Sequence, residues 1–187
     1  MEITQTLYVT NPSEWREWLQ THYKTENEIW LVYYKKHTGK PRIEYNTAVE
    51  QALCFGWIDS TVRSLDEDRT VQRFSPRKPK SGYSQANIER LRLLVAQGKV
   101  VDEVVETLGD LLEQEFVFPA DILEAIRADA QTWENYQNFS EPYKRIRVAF
   151  IDGARKRPGE FQKRLNYFIK RTRENKMIGF GGIEKYY

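Results

Sequence analysis

Trp57-Ile58-Asp59-Ser60-Thr61-Val62-Arg63-Ser64-Leu65 and Thr70-Val71-Gln72-Arg73-Phe74 read as the two arms of a β-hairpin, joined through Asp66-Glu67-Asp68. The three acids lack the spacing and the glycine of a calcium loop, so they read as a polar turn. Upstream, Thr47 and Glu50 have the spacing of a capping box for a helix through Ala48, Val49, Ala52, Leu53 and Phe55, which Gly56 ends. Before it, His37 to Pro41 reads as a loop, and Glu28 to Lys35 as a strand with both faces covered. Asn11-Pro12-Ser13-Glu14 combines an N-cap, a proline at the first helical position and a capping glutamate, so a helix starts near Pro12 and runs to about His22. Ile3 to Val9 reads as a short first strand.

Downstream of the hairpin, Ser75 to Gly82 holds two prolines and a glycine and reads as a loop. Ser84 then caps a helix carrying Ile88, Leu91, Leu94 and Val95, with Gly98 as its left-handed terminator. Four further segments show helical periodicity: Val101 to Glu115, Ala120 to Tyr136, Glu141 to Arg155 and Gly159 to Glu174. The expected fold class is therefore α+β. An N-terminal domain over residues 1–100 holds a small mixed or antiparallel sheet with helices, and residues 101–187 form a C-terminal helical region.

The 187 residues suffice for a real core, and the net charge is only +2. Its distribution is uneven. From Arg69 to Lys99 eight cations face the single acid Glu89; from Asp102 to Asp129 nine acids face only Arg127; from Lys144 onward the chain turns basic again. The lone Cys54 excludes a disulfide framework and a cysteine-based zinc site, and its apolar helical setting marks it as a packing residue. Met1 to Gln5 lacks the basic region and apolar core of a signal peptide, and no stretch is apolar enough to span a membrane. These features together read as a cytoplasmic chain.

Two segments carry a family resemblance: Ala52-Leu53-Cys54-Phe55-Gly56-Trp57-Ile58-Asp59-Ser60, and Arg73-Phe74-Ser75-Pro76-Arg77-Lys78-Pro79-Lys80-Ser81 followed by Tyr83, Ser84 and Asn87. The chain resembles the bacteriocin-protection family, also called YdeI or OmpD-associated, over most of Leu7 to Gly98. The run from Pro142-Tyr143-Lys144-Arg145 through Ala154-Arg155-Lys156-Arg157 to Lys163-Arg164-Leu165 is similar to that family's C-terminal helical region. It departs from the family at Pro158-Gly159-Glu160-Phe161, where many members carry a Thr-Arg pair. The resemblance implies an association with bacteriocin tolerance and an outer-membrane porin, and it implies no reaction.

The strongest candidate site is the loop from Arg73 to Ser81 with the helix start at Ser84. There, Arg73, Arg77, Lys78 and Lys80 would converge beside backbone N–H groups, an arrangement suited to an anion. Ser81, Ser84 and Asn87 would add directional hydrogen bonds, Trp57 a flat wall, and Asp59 a carboxylate beside the cations. Competing readings place Trp57 in the core and leave the basic loop solvated.

No Gly-x-Ser-x-Gly elbow, dinucleotide fingerprint, His/Glu metal motif or catalytic triad occurs, so no catalytic residue, metal or cofactor is assigned. The leading expectation is a stress-related cytosolic protein binding a small anionic ligand or an acidic protein surface. One alternative is an enzyme using Asp59 as acid or base beside Arg73. Another is nucleic-acid binding through Lys144, Arg145, Arg147, Arg155, Lys156 and Arg157, against which the near-neutral charge and the neighbouring acidic helices argue. The tail aromatics Phe180, Tyr186 and Tyr187 suit a contact with a second copy as well as with their own subunit.

Overall fold

The computed structural model describes residues 2–78 and 81–179. The elements run β1 (Thr6–Leu7), α1 (Pro12–His22), β2 (Ile29–Tyr34), α2 (Tyr45–Cys54), β3 (Trp57–Ser64), β4 (Arg69–Pro76), α3 (Gln85–Ala96), α4 (Asp102–Leu108), α5 (Ala120–Arg127), α6 (Ala130–Asn138), α7 (Glu141–Asp152) and α8 (Pro158–Arg173). The fold is α+β, with a four-stranded mixed sheet ordered β1-β2-β4-β3 in the N-terminal half. β1 pairs parallel with β2, whereas β2 and β3 both pair antiparallel with β4. The chain divides into two compact units. The first holds residues 1–82 and 91–109, the second residues 83–90 and 110–187, so the residues of α3 are shared between them.

In the first unit the predicted N-cap is in place. The Asn11 side chain accepts from the Glu14 amide at 3.1 Å, and the Glu14 carboxylate accepts from the Thr10 amide at 2.8 Å. α1 then buries Trp15 and Leu19 completely. Trp15 stacks on Trp18 at 5.3 Å, meets Phe74 edge-on at 5.4 Å, and donates its indole N–H to the Ala48 carbonyl at 3.0 Å. β2 is buried on both faces from Ile29 to Tyr33, as its unbroken apolar run requires. The hairpin turn is held by Asp66, whose Oδ1 accepts from the Asp68 and Arg69 amides at 3.0 and 2.7 Å.

Several boundaries differ from the sequence reading; β4 runs on through Ser75 and Pro76, and α7 ends at Asp152. α2 starts at Tyr45, and Thr47 and Glu50 form no capping box, because Glu50 is drawn into the interior at 6% exposure. The first strand shrinks to two residues. The helix expected to run to Glu115 ends at Leu108, because Gly109 turns the backbone to φ +48°. The helix expected from Ala120 to Tyr136 is two helices, since Asp129 leaves the helical region and caps α6, accepting from the Thr132 amide at 2.8 Å. The tail beyond Gly179 lies outside the described residues.

The second unit has its own core of Ile122, Ile126, Tyr136, Tyr143, Val148, Ile151, Leu165 and Phe168. Its charges pair across helices. Arg145 grips the nearly buried Glu89 carboxylate with Nε at 2.7 Å and Nη2 at 3.0 Å, and Arg155 grips Asp121 with Nη1 at 2.9 Å and Nη2 at 2.7 Å. The acidic and basic helix runs are thus partly complementary edges of one unit.

Gly56 ends α2 at φ +71°, and a Cβ there would stand 3.2 Å from Val104 Cγ2. Gly56→Ala is therefore expected to lower unfolding free energy by about 1–3 kcal/mol in a denaturant titration, through backbone strain that no side-chain shift relieves. Arg145→Met, which strips the guanidinium from buried Glu89, is expected to cost about 3 kcal/mol in the same measurement.

Candidate functional site

Successive residues of a strand point to opposite sides of the sheet, and this alternation separates the groups expected to meet around the hairpin. Gln72 and Arg73 are neighbours on β4. Asp59 lies on the Gln72 side, its Oδ2 accepting from Gln72 Nε2 at 2.6 Å and from the Tyr45 hydroxyl at 2.8 Å. Arg73 lies on the other side, where Nε donates to Glu28 Oε2 at 2.5 Å and Nη1 to Ser75 Oγ at 3.2 Å. The cleft proposed for an enzyme, with Asp59 beside Arg73, is overturned by this geometry. Trp57 is also corrected. It is 1% exposed, meets Trp18 edge-on at 5.7 Å and donates its indole N–H to the Tyr23 carbonyl at 3.1 Å, so it is core and presents no face to a ligand.

The basic loop is tied down by its own backbone. The Arg77 amide donates to the Gly56 carbonyl at 2.9 Å, and Arg77 Nη2 donates to the Gly82 carbonyl at 2.8 Å and to that of Ser81 at 3.2 Å. The Ser81 hydroxyl donates to the Lys78 carbonyl at 2.8 Å. Lys78 is exposed and forms no ion pair with any described residue, and Lys80 lies outside the described residues. In the second unit Ser84 and Asn87 serve α3. The Ser84 Oγ accepts from the Asn87 amide at 3.3 Å, and Asn87 Oδ1 accepts from Arg90 Nη1 at 2.8 Å.

Sequence reasoning missed a cavity of about 540 Å³ inside the second unit. Its apolar wall comes from Phe116, Val117, Ile146 and Phe150, and the chain at the start of α3, Tyr83 to Ala86, closes another side. Two arginines and Asp152 are among its lining residues. Arg147 is 4% exposed, donates to the Ile178 carbonyl and lies over the Tyr143 ring at 5.5 Å. Arg164 donates to the Phe150 carbonyl at 2.7 Å and to Glu160 at 2.8 Å, with its guanidinium 3.8 Å above the Phe150 ring. The one available signal was the spacing of Ile146 and Phe150, one turn apart on α7, with Arg147 beside them.

Four of the six residues of the expected nucleic-acid stripe are buried or paired, whereas Lys156 and Arg157 are exposed. Arg147 is buried, Lys144 reaches Glu141 at 2.9 Å, and Arg145 and Arg155 hold the carboxylates described above. Among the described residues no group of three or more His, Cys, Asp or Glu side chains is placed to hold a metal ion, and no helix is long and apolar enough to cross a membrane. Burial pushes the Cys54 thiol up, in keeping with a packing role.

These features define an α+β protein of two units, a small mixed sheet under helices and a helical unit with a largely apolar cavity lined in part by a buried arginine. Residues 7–107, more than half of the chain, match the family described as "Domain of unknown function (DUF8412)", and the protein belongs to that family. Residues 115–175 match the family described as "Bacteriocin-protection, YdeI or OmpD-Associated", so the chain carries a domain of that family as well. The resemblance seen in the sequence thus holds at the C-terminal helical run. The motifs at Ala52–Ser60 and Arg73–Asn87 lie in the stretch matched by the other family. Comparison with curated proteins and with solved structures gives no match.

The Thr4 hydroxyl, together with the Arg73 guanidinium and the Trp30 indole, holds the Glu28 carboxyl below its ordinary value. A depressed carboxyl contributes stability that is present above the unfolded carboxyl's pKa and is lost as pH falls through the folded one. Glu28→Gln is therefore expected to lower the neutral-pH Tm and to flatten its decline between about pH 5 and pH 3, read by thermal melts across that range.

Proposed function

We propose that this is a binding protein for a small amphipathic anion, such as an aromatic or aliphatic carboxylate or phosphate monoester, held in the cavity of the second unit. One observation carries the reading: a cavity of about 540 Å³, the size of an ordinary ligand pocket, has a largely apolar wall and a buried arginine among its lining residues. Phe116, Val117, Ile146 and Phe150 would enclose the carbon skeleton. Arg147 would meet the acidic group, with the α3 N-terminal N–H groups adding to the positive field. All of these except the α3 residues lie within the stretch matched by the YdeI or OmpD-associated family.

The test is a thermal-shift screen of carboxylates and phosphate monoesters. A ligand at a hundred times its Kd should stabilise the fold by about 2.7 kcal/mol. Arg147→Gln should abolish the shift for charged hits, and Val117→Trp, which enlarges an exposed residue at the cavity wall, should abolish it for all of them. Hits that survive both variants, or a screen without hits, would overturn the reading.

A second reading is favoured by the exposure of Lys78 on a loop already fixed by Arg77 and Ser81: docking of an acidic protein surface at little ordering cost. Arg77→Ala/Lys78→Ala would remove that docking and leave the cavity hits untouched.

A further inference from the structure

The alternation that parts Asp59 from Arg73 sets Asp59 against Tyr45 and Gln72, two residues that line a second cavity, in the first unit. Asp59 stands opposite Phe74 and Val62 opposite Gln72, so three steps on β3 span two on β4. The extra residue is a β-bulge, and it puts Asp59 and Val62 on the same face, beside Gln72. Tyr33 of β2 and Thr70 of β4 line the space below, and the residues leading into α2, Arg42 to Tyr45, line it above. The volume is about 190 Å³.

Tyr33 is the informative group. It is 7% exposed, it lines this cavity, and its hydroxyl has no hydrogen-bond partner among the described residues. A buried hydroxyl without a partner is costly, and such groups in folded proteins are met by the protein, by water or by a ligand. At about 30 Å³ per water, the space takes several waters or one small ring in their place.

The surrounding chemistry narrows the occupant. Glu44 against Arg42 leaves the lining with no net charge, which favours neither an anion nor a cation. Asp59 Oδ2 accepts from Tyr45 and Gln72, which holds those two lining side chains in place, and Arg42 donates to the Tyr34 carbonyl at 3.1 Å. What remains is a mixture of donors and acceptors between tyrosine rings: the Tyr33 and Thr70 hydroxyls and the Gln72 amide oxygen. We propose that this pocket binds one ring of a neutral, hydroxyl-rich molecule, a monosaccharide or cyclitol, whose hydroxyl groups both donate and accept. The site is independent of the anion cavity in the second unit.

The experiment is an NMR titration of isotope-labelled protein with D-glucose, myo-inositol and maltotetraose, each to about 50 mM, the range of weak sugar affinities. Expected are shifts of the Tyr33 and Gln72 resonances that saturate. A response to the single rings alone assigns a free small ligand; a response to maltotetraose as well assigns a chain end. Tyr33→Phe should weaken binding at least about tenfold, the loss of one buried hydrogen bond, while leaving Tm unchanged or raised. Val62→Trp, at a position 59% exposed, should block the pocket without unfolding the protein. The proposal falls if no probe shifts Tyr33 or Gln72. It falls equally if Tyr33→Phe lowers Tm and titrates like the wild type, because the hydroxyl would then be serving the fold through ordered water.

Discussion

The first unit depends on the packing of Trp15, Trp18 and Trp57 with Phe74. Two of these indoles come from one turn of α1, the third from the start of β3, and the phenylalanine from β4, so the cluster fixes how the helix lies against the hairpin. Trp15 and Trp57 each also donate an N–H to a backbone carbonyl, Ala48 and Tyr23, which orients the rings as well as burying them. Rings this large bury on the order of 150–250 Å² each, a large share of the core under a sheet whose first strand has only two residues. The same packing withdraws Trp57 from any ligand.

The second unit is organised by charge as well as by its apolar core. A carboxylate as inaccessible as Glu89 is costly unless paired, and Arg145 meets it with two parallel hydrogen bonds. On the surface, Arg155 bridges to both Asp121 and Asp152, joining the start of α5 to the end of α7. Cations used in this way are not available as a phosphate-binding stripe, so a basic run in a sequence has to be read against the acids that fold beside it.

Local chemistry was legible in the sequence, and facing was not. Asn11, Pro12 and Glu14 announce α1 because a cap is decided within four residues, and Gly98, at φ +65°, ends α3 for the same reason. Thr47 and Glu50 carry the same local pattern, yet tertiary packing took Glu50 inward and left Glu44 at the cap position. The break at Asp129 was hidden because Ile122, Ile126 and Tyr136 keep a helical apolar rhythm across it. Asp59 and Arg73 looked like neighbours because their strands are paired. The bulge between Asp59 and Val62, and the side to which each residue points, decide otherwise. Neither cavity could be read from the sequence, because each is made by residues far apart in the chain.

Arg147 bears on why the second cavity is worth testing. A methionine at that position would fill similar space on α7 and avoid the desolvation of a guanidinium, so stability alone gives little reason for an arginine at 4% exposure. Contact with the Ile178 carbonyl and the Tyr143 ring offsets part of that cost and holds the group in place. A charge fixed before binding on the lining of an apolar cavity needs no reordering when an acid arrives. It also interacts with that acid more strongly than it would in water, because the low-polarity walls screen poorly. The proposed recognition of an acid rests on this arrangement.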